Sequence, residues 1–173
     1  MRKINRIVLH TTAGWAHETP ESIQRMWRVN LGWKNPGYHI LIPTDGSLVH
    51  LADISKITNG VAGYNSDSVH ASYIGGLVEI KNGKHIYGDT RTPEQKDGFW
   101  SAIEYFFKEI GKYQEIGHIS IVGHRDLSPD LNGNGIIEQR EWIKVCPTFN
   151  AMEEYGWIAG NKALERMKHR KTY

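Results

Sequence analysis

The chain has 173 residues, 39% of them hydrophobic, which suits one compact domain with a buried core. Its 21 Lys and Arg against 19 Asp and Glu leave a formal net charge of +2, a balance that implies neither a nucleic-acid binder nor a receptor for acidic substrates. A single cysteine excludes an intramolecular disulfide framework, and no apolar run approaches the ~20 residues that span a bilayer.

The opening, MRKINRIVLH, turns straight into an apparent strand without a signal-peptide apolar region. Synthesis in the cytoplasm is therefore expected, and work outside the cell would need another exit route. Ile4 to His10 mixes β-branched and apolar residues and predicts a buried strand delivering His10 at its carboxyl end, where open sheets with parallel strands place ligands. TTAGWAHET is a loop. Thr19 as N-cap, Pro20 at the first helical position and Glu21 behind it start a helix with Ile23, Met26, Trp27 and Asn30 on one side. Tyr38 to Pro43 and Ser47 to Ala52 read as a hairpin about an Asp45-Gly46 turn. Gly60 to Ser68 is a loop, Val69 to Leu77 a strand, and Asn82-Gly83 a turn between Val78–Lys81 and His85–Tyr87.

Thr92-Pro93-Glu94-Gln95 combines an N-cap, an N1 proline and a capping-box glutamine. It opens the longest helix, with Phe99, Ile103, Phe106, Phe107 and Ile110 at helical spacing and Gly111 to end it; the aromatic stripe is assigned to packing against a sheet. His118 to Gly123 is a strand that delivers His124. Two strands from opposite ends of the chain thus present His10 and His124, which fits neighbours in one sheet of an α/β fold. With no repeat or interdomain linker, residues 1–173 are expected to form a single domain with its core at about 4–150. Residues 151–173 would then be a basic helical tail, read as a solvated face.

The densest chemistry lies between Ile121 and Pro147, IVGHRDLSPDLNGNGIIEQREWIKVCP. Imidazole nitrogen and thiolate sulfur are ligands that zinc favours, and a catalytic zinc site takes three protein ligands and leaves one position open. A lone thiol is most often a small buried hydrophobe. The combination is what carries the signal: His10 and His124 each end a strand, and Cys146 follows a lysine closely. The expected ligand set is His10, His124 and Cys146. If the segment of Lys144 and Cys146 is extended, both side chains point the same way, placing an ammonium group where an oxyanion could form. Tyr38 adds a phenol for hydrogen bonding or proton transfer. The implied reaction is metal-assisted hydrolysis of an amide through a tetrahedral intermediate. Without Cys146, Lys144 would read as a surface charge and Tyr38 as a hairpin aromatic. His17, His50, His70, His85, His118 and His169 are placed in loops, turns or solvent-facing positions without a partner. His39 points to the opposite face from Tyr38 and is assigned to the core or to a supporting role.

In this order, HTTAG, GYHILIPTDG, GYNSDS and GHRD…KVCP resemble the zinc-dependent N-acetylmuramoyl-L-alanine amidases, the family of the phage lysozyme-type amidases and the peptidoglycan recognition proteins. The resemblance covers about residues 4 to 150. It implies a mixed central β-sheet flanked by helices, with a substrate groove above the metal. It also implies cleavage of the amide joining the lactyl group of N-acetylmuramic acid to L-alanine of the stem peptide. The family's metal positions fall on His10, His124 and Cys146, and its catalytic tyrosine and lysine on Tyr38 and Lys144. The implied partner is peptidoglycan or muropeptide, and the implied role that of an endolysin or autolysin acting on the bacterial wall.

Two departures stand out. Gly60 occupies a position, three residues before Gly-Tyr-Asn, where members often have a histidine, so that contact is lost or supplied elsewhere. Ser72 replaces a glutamate that some relatives use, leaving Tyr38 as the partner of Lys144. The intact Cys146 argues for turnover over the alternative, a muropeptide-binding module that does not cut. An interaction protein built on a calcium loop would leave the pairing of His10 with His124 unexplained.

That calcium loop is the second motif. Asp130, Asn132, Asn134, Gly135 and Glu141 match the twelve-residue calcium pattern. Asp130, Asn132, Asn134 and Glu141 would supply side-chain oxygens, Ile136 a backbone carbonyl, and Glu138 a direct or water-mediated contact. HRDLSP is a poor entering helix, so the loop would be an isolated one. It could equally be an Asn/Gly-rich turn; as a calcium site its role would be structural, stiffening the insertion that positions Lys144 and Cys146.

Overall fold

At the centre of the fold lies β1 (Arg6–Thr11), buried from Ile7 onward. It pairs in parallel with β4 (Ser68–Tyr73) on one side and with β7 (Ser120–Gly123) on the other. Beyond β4 the sheet continues with β2 (Ile40–Ile42), again parallel, and β3 (Val49–His50) closes that edge antiparallel to β2. The result is a mixed five-stranded sheet in the order β3-β2-β4-β1-β7, seen in a computed structural model that describes residues 1–158. A separate hairpin, β5 (Leu77–Lys81) and β6 (Lys84–Tyr87), turns at Asn82-Gly83 as the sequence requires. The strand expected to run from Val69 to Leu77 stops at Tyr73 because Gly75 and Gly76, both at positive φ, swing the chain out into this hairpin.

Period-two alternation sends the two sides of each strand into different cores. One side meets α2 (Pro93–Ile110), where Phe99, Ile103, Phe106, Phe107 and Ile110 pack against Ile7, Leu9, Ile40, Ile42, Val69, Ala71 and Tyr73. The aromatic stripe is core, as its spacing implies. On the other side α1 (Pro20–Val29) sets Ile23 and Trp27 against Leu41 and Ile74, while Met26 stays at the edge, 39% exposed. Both helices open on a threonine N-cap with proline behind it; Thr19 is paired with Ser22 in a capping box, and Thr92 with Gln95.

The packed core runs past the boundary expected at residue 150. A short helix, α3 (Ala151–Tyr155), lies against β7, and Ala151, Tyr155 and Ile158 join the α2 cluster. Arg91 fastens this end. Its side chain is 1% exposed, and its guanidinium pairs with Asp89 and Glu154 and lies 3.4 Å over the Phe149 ring. The basic tail expected after it falls, from residue 159 on, outside the described residues. Among the described residues no helix is long and apolar enough to cross a membrane.

Gln95 joins α2 to the sheet. Fully buried, its Nε2 donates to the Ile42 and Ile74 carbonyls, both at 3.0 Å, and its Oε1 accepts from the Thr92 N–H at 3.1 Å. Replacing Gln95 by leucine conserves volume but removes all three bonds. Urea denaturation of Gln95→Leu is expected to show a loss of about 2–4 kcal/mol, the cost of an orphaned buried carbonyl and a lost cap contact.

Candidate active site

The register of β1 with β7 runs from Arg6 beside Ser120 to Leu9 beside Gly123, so the next residues of the two strands are His10 and His124. Their rings lie 5.2 Å apart, His10 fully buried and His124 partly so, at the head of a 3-10 turn spanning His124–Leu127. Cys146 completes the cluster: one donor atom from each of His10, His124 and Cys146 lies within 4.8 Å of the other two. The Cys146 Sγ sits 3.6 Å from His10 Nδ1 and accepts from the Thr11 N–H at 3.4 Å. Its carbonyl accepts from the Arg125 N–H at 2.6 Å, which fastens the KVCP segment to the HRD turn. No strand forms between Ser128 and Val145, so the condition for Lys144 and Cys146 to point the same way, an extended segment, is not met by a strand; the chain there is irregular and held by this bond. Lys144 is exposed, yet its charge bears on His10, His124 and Cys146.

Tyr38 flanks the cluster. Its ring lies 4.7 Å from that of His10 with Trp27 at its edge, 5.4 Å away, and its hydroxyl points to the Thr11 carbonyl at 3.5 Å. His70 requires a correction. Placed by its sequence among the partnerless histidines, it is fully buried on β4, with its Nδ1 3.0 Å from His10 Nε2. The parallel register explains this: Val8 lies beside His70 and His10 beside Ser72, so His70 shares the face of His10. The sequence held a partial signal for it, since Ser68, His70 and Ser72 alternate with Val69, Ala71 and Tyr73 and so share one face, though alternation does not say which face that is. Gly60 is bound up with the same ring: a Cβ there would lie 2.4 Å from His70 Nδ1. The His70 ring thus lies directly against Gly60, in space that a larger residue would need. His39 is a core residue as expected, stacked on His70 at 5.8 Å and accepting its backbone N–H at 3.0 Å. His17, His50, His85 and His118 are exposed, and His169 lies outside the described residues.

Burial dominates the electrostatics. It holds His10 well below the ordinary histidine range, helped by His70, His124 and Lys144, and brings His124 down to about 4. The same desolvation pushes the Cys146 thiol up to about 12 and raises the Tyr38 phenol well above its usual range. At neutral pH the cluster therefore offers two imidazole lone pairs and a thiol that would ionise only beside a cation. That donor set fits zinc.

Beyond His124 the chain makes an excursion from Ser128 to Ile143, tied at its base where the Ile143 N–H donates to Ser128 Oγ at 3.1 Å. Within it the Asp130 carboxylate accepts from the N–H groups of Gly133 and Gly135, each at 2.7 Å. Asn132 and Asn134 accept from the N–H groups two residues on, at 2.9 and 2.8 Å. Glu141, 4% exposed, accepts from the N–H groups of Leu131, Asn132 and Glu138.

The family model described as N-acetylmuramoyl-L-alanine amidase matches residues 1–142. The chain belongs to the N-acetylmuramoyl-L-alanine amidase family. It is 34% identical over 120 residues to an uncharacterized protein of Haemophilus influenzae, covering 69% of this chain and 92% of that one. It is also 29% identical over 127 residues to the endolysin of Enterobacteria phage K11, covering 73% of this chain and 68% of the phage protein. Among solved structures, the Ph2119 endolysin from the Thermus scotoductus bacteriophage shares the fold with a TM-score of 0.61 at 22% identity, over 90% of this chain and 87% of that one. The family match and the endolysin relative support activity on peptidoglycan, and the solved structure agrees with the mixed sheet flanked by helices. Lys144 and Cys146 lie beyond the matched residues.

The buried histidines give this amidase domain a pH signature. His10, His39, His70 and His124 all titrate below 6.5 in the folded protein, burial being the largest cause for each. Unfolded, they take up protons near 6.5. Between that pH and the folded values the unfolded state binds more protons, so stability is present in full above about 6.5 and is lost as pH falls. The limiting slope is about 1.4 kcal/mol per pH unit for each buried ring. Urea midpoints of metal-free protein are expected to drop steadily from pH 6.5 to 4; a flat profile would show that the rings are not buried neutral.

Proposed function

We propose that the protein is a zinc-dependent hydrolase that cuts the amide bond between N-acetylmuramic acid and L-alanine in peptidoglycan, and that it serves as an endolysin or autolysin. Its place of action would be the bacterial wall. The observation that carries the reading is the convergence of two imidazoles and one thiol, drawn from three distant segments, within 4.8 Å. The endolysin relative from phage K11 supports the lytic role.

In this reading His10, His124 and Cys146 hold the metal. Zinc bound there would act as a Lewis acid and supply a water of lowered pKa at neutral pH. The two imidazoles are already neutral and need lose no proton to bind, whereas the thiol must. Lys144, exposed beside the cluster, offers its ammonium group to the oxyanion that forms when the scissile carbonyl becomes tetrahedral. Tyr38, its phenol raised by burial, keeps its proton at neutral pH and so serves as a donor to the oxyanion or the leaving nitrogen.

Two measurements test this. Calorimetric titration of metal-free protein with zinc at pH 7, run in buffers of different ionisation enthalpy, is expected to show about one proton released per ion, from the Cys146 thiol. Purified peptidoglycan should yield new L-alanine amino termini. Cys146→Ala is expected to abolish that release, and Lys144→Ala to cut it by about 10²–10³-fold. Binding of peptidoglycan by the parent protein without any release would favour the non-cutting muropeptide module instead.

The reading also assigns calcium to the loop from Asp130 to Glu141, with a structural role. The match of residue types at the ligand positions supports it. Millimolar calcium is expected to raise the melting temperature, Glu141→Gln to remove that increment, and magnesium to give little of it. Absence of any shift with calcium would remove the site.

A further inference from the structure

The geometry points to His70 as a positioning residue for His10. By accepting the His10 Nε2 proton, it fixes the tautomer whose Nδ1 lone pair faces Cys146, and Gly60 makes the room it needs. The inference rests on the zinc reading of the cluster and concerns how this chain prepares one ligand for the ion.

A neutral imidazole carries one N–H and one lone pair, so the partner at one nitrogen decides what the other can do. His10 Nδ1 is the nitrogen 3.6 Å from the Cys146 Sγ, while Nε2 faces His70 Nδ1 at 3.0 Å. To give a metal its Nδ1 lone pair, His10 must hold its proton on Nε2 and donate it. His70 Nδ1 must then be the acceptor, with the His70 proton on Nε2. The opposite arrangement aims a proton from His10 Nδ1 at the thiol and closes the ligand position.

The rest of the molecule reserves His70 for this contact. Its Nε2 is buried with no hydrogen-bond partner among the described residues, so the bond to His10 is the one its ring makes there. Its backbone is held on both sides: the N–H donates to His39 Nδ1 at 3.0 Å and the carbonyl accepts from the His39 N–H at 2.9 Å. A Cβ on residue 60 would meet three ring atoms of His70 at 2.4–2.6 Å, too close for any side chain while the ring stays in place. A ligating histidine nearly always gives its second N–H to a carboxylate, a carbonyl or water, and losing that partner typically costs 10–100-fold in metal affinity. Here a second imidazole takes that place.

The test compares zinc affinity, by competition with a chelating dye, for the parent protein, His70→Leu, His70→Asn and Cys146→Ala. His70→Leu fills the space without an acceptor and is expected to bind zinc about 10–100-fold more weakly. His70→Asn offers an amide oxygen near the place of Nδ1 and is expected to stay within a few-fold of the parent. Nitrogen-15 spectra of the parent should show His10 protonated on Nε2 both with and without zinc, a signature that a purely structural role for His70 would not fix. If His70→Leu fails to fold, the parent spectrum and His70→Asn decide. Zinc binding by His70→Leu as tight as the parent's, or His10 protonated on Nδ1 in the parent, overturns the role of His70 alone. Parent binding that Cys146→Ala leaves unchanged overturns the zinc reading and this inference with it.

Discussion

The parallel seating of β1 between β4 and β7 is the constraint from which the chemistry follows. Parallel neighbours end at the same edge, so His10 and His124 emerge side by side although more than half the chain separates them. A slip of one residue would turn every side chain of β1 over, sending His10 toward α2 and Leu9 toward the thiol. What prevents the slip is the apolar face: Ile7 and Leu9 are fully buried in the cluster that α2 closes. The core and the polar cluster are therefore two faces of one decision about register.

Much of this was legible in the residues. The caps of α1 and α2, the aromatic stripe and the strand ends at His10 and His124 each follow from local rules, and local rules suffice where an element is long or strongly capped. Cys146 could be singled out because it is the one thiol and lies near a lysine. His70 could not be placed by such rules. Its strand was foreseen, but which face it occupied depended on pairing with β1, a contact across 60 residues that periodicity alone does not encode. The core beyond residue 150 is hidden from local rules for a related reason. Helix α3 is only five residues long, too short for a helical period to register, and it is held by burial of Tyr155 and by the Arg91 clamp. Around Lys144 no local period exists to read, because the chain is irregular and is held through Cys146 by the backbone N–H groups of Arg125 and Thr11.

The excursion between His124 and Cys146 shows how a long connection can sit between two members of one cluster without loosening it. Ser128 and Ile143 join across its base, Glu141 gathers three backbone N–H groups beneath it, and Arg125 lies over the Trp142 ring at 4.1 Å. Entropy lost in closing a loop grows only slowly with its length, so the tie at the base matters more than the number of residues beyond it. The side chains of Leu131 and Ile136 point outward and are exposed.

Desolvation of Cys146 has a bearing on how such a protein survives in storage. The nucleophile in alkylation and oxidation is the thiolate, and a thiol raised to about 12 holds almost none of it at neutral pH. Empty of metal, the side chain is a sluggish target for peroxide or electrophiles, shielded by the same low dielectric that makes it depend on a cation to ionise. The chain's one thiol is thus held in its least reactive form.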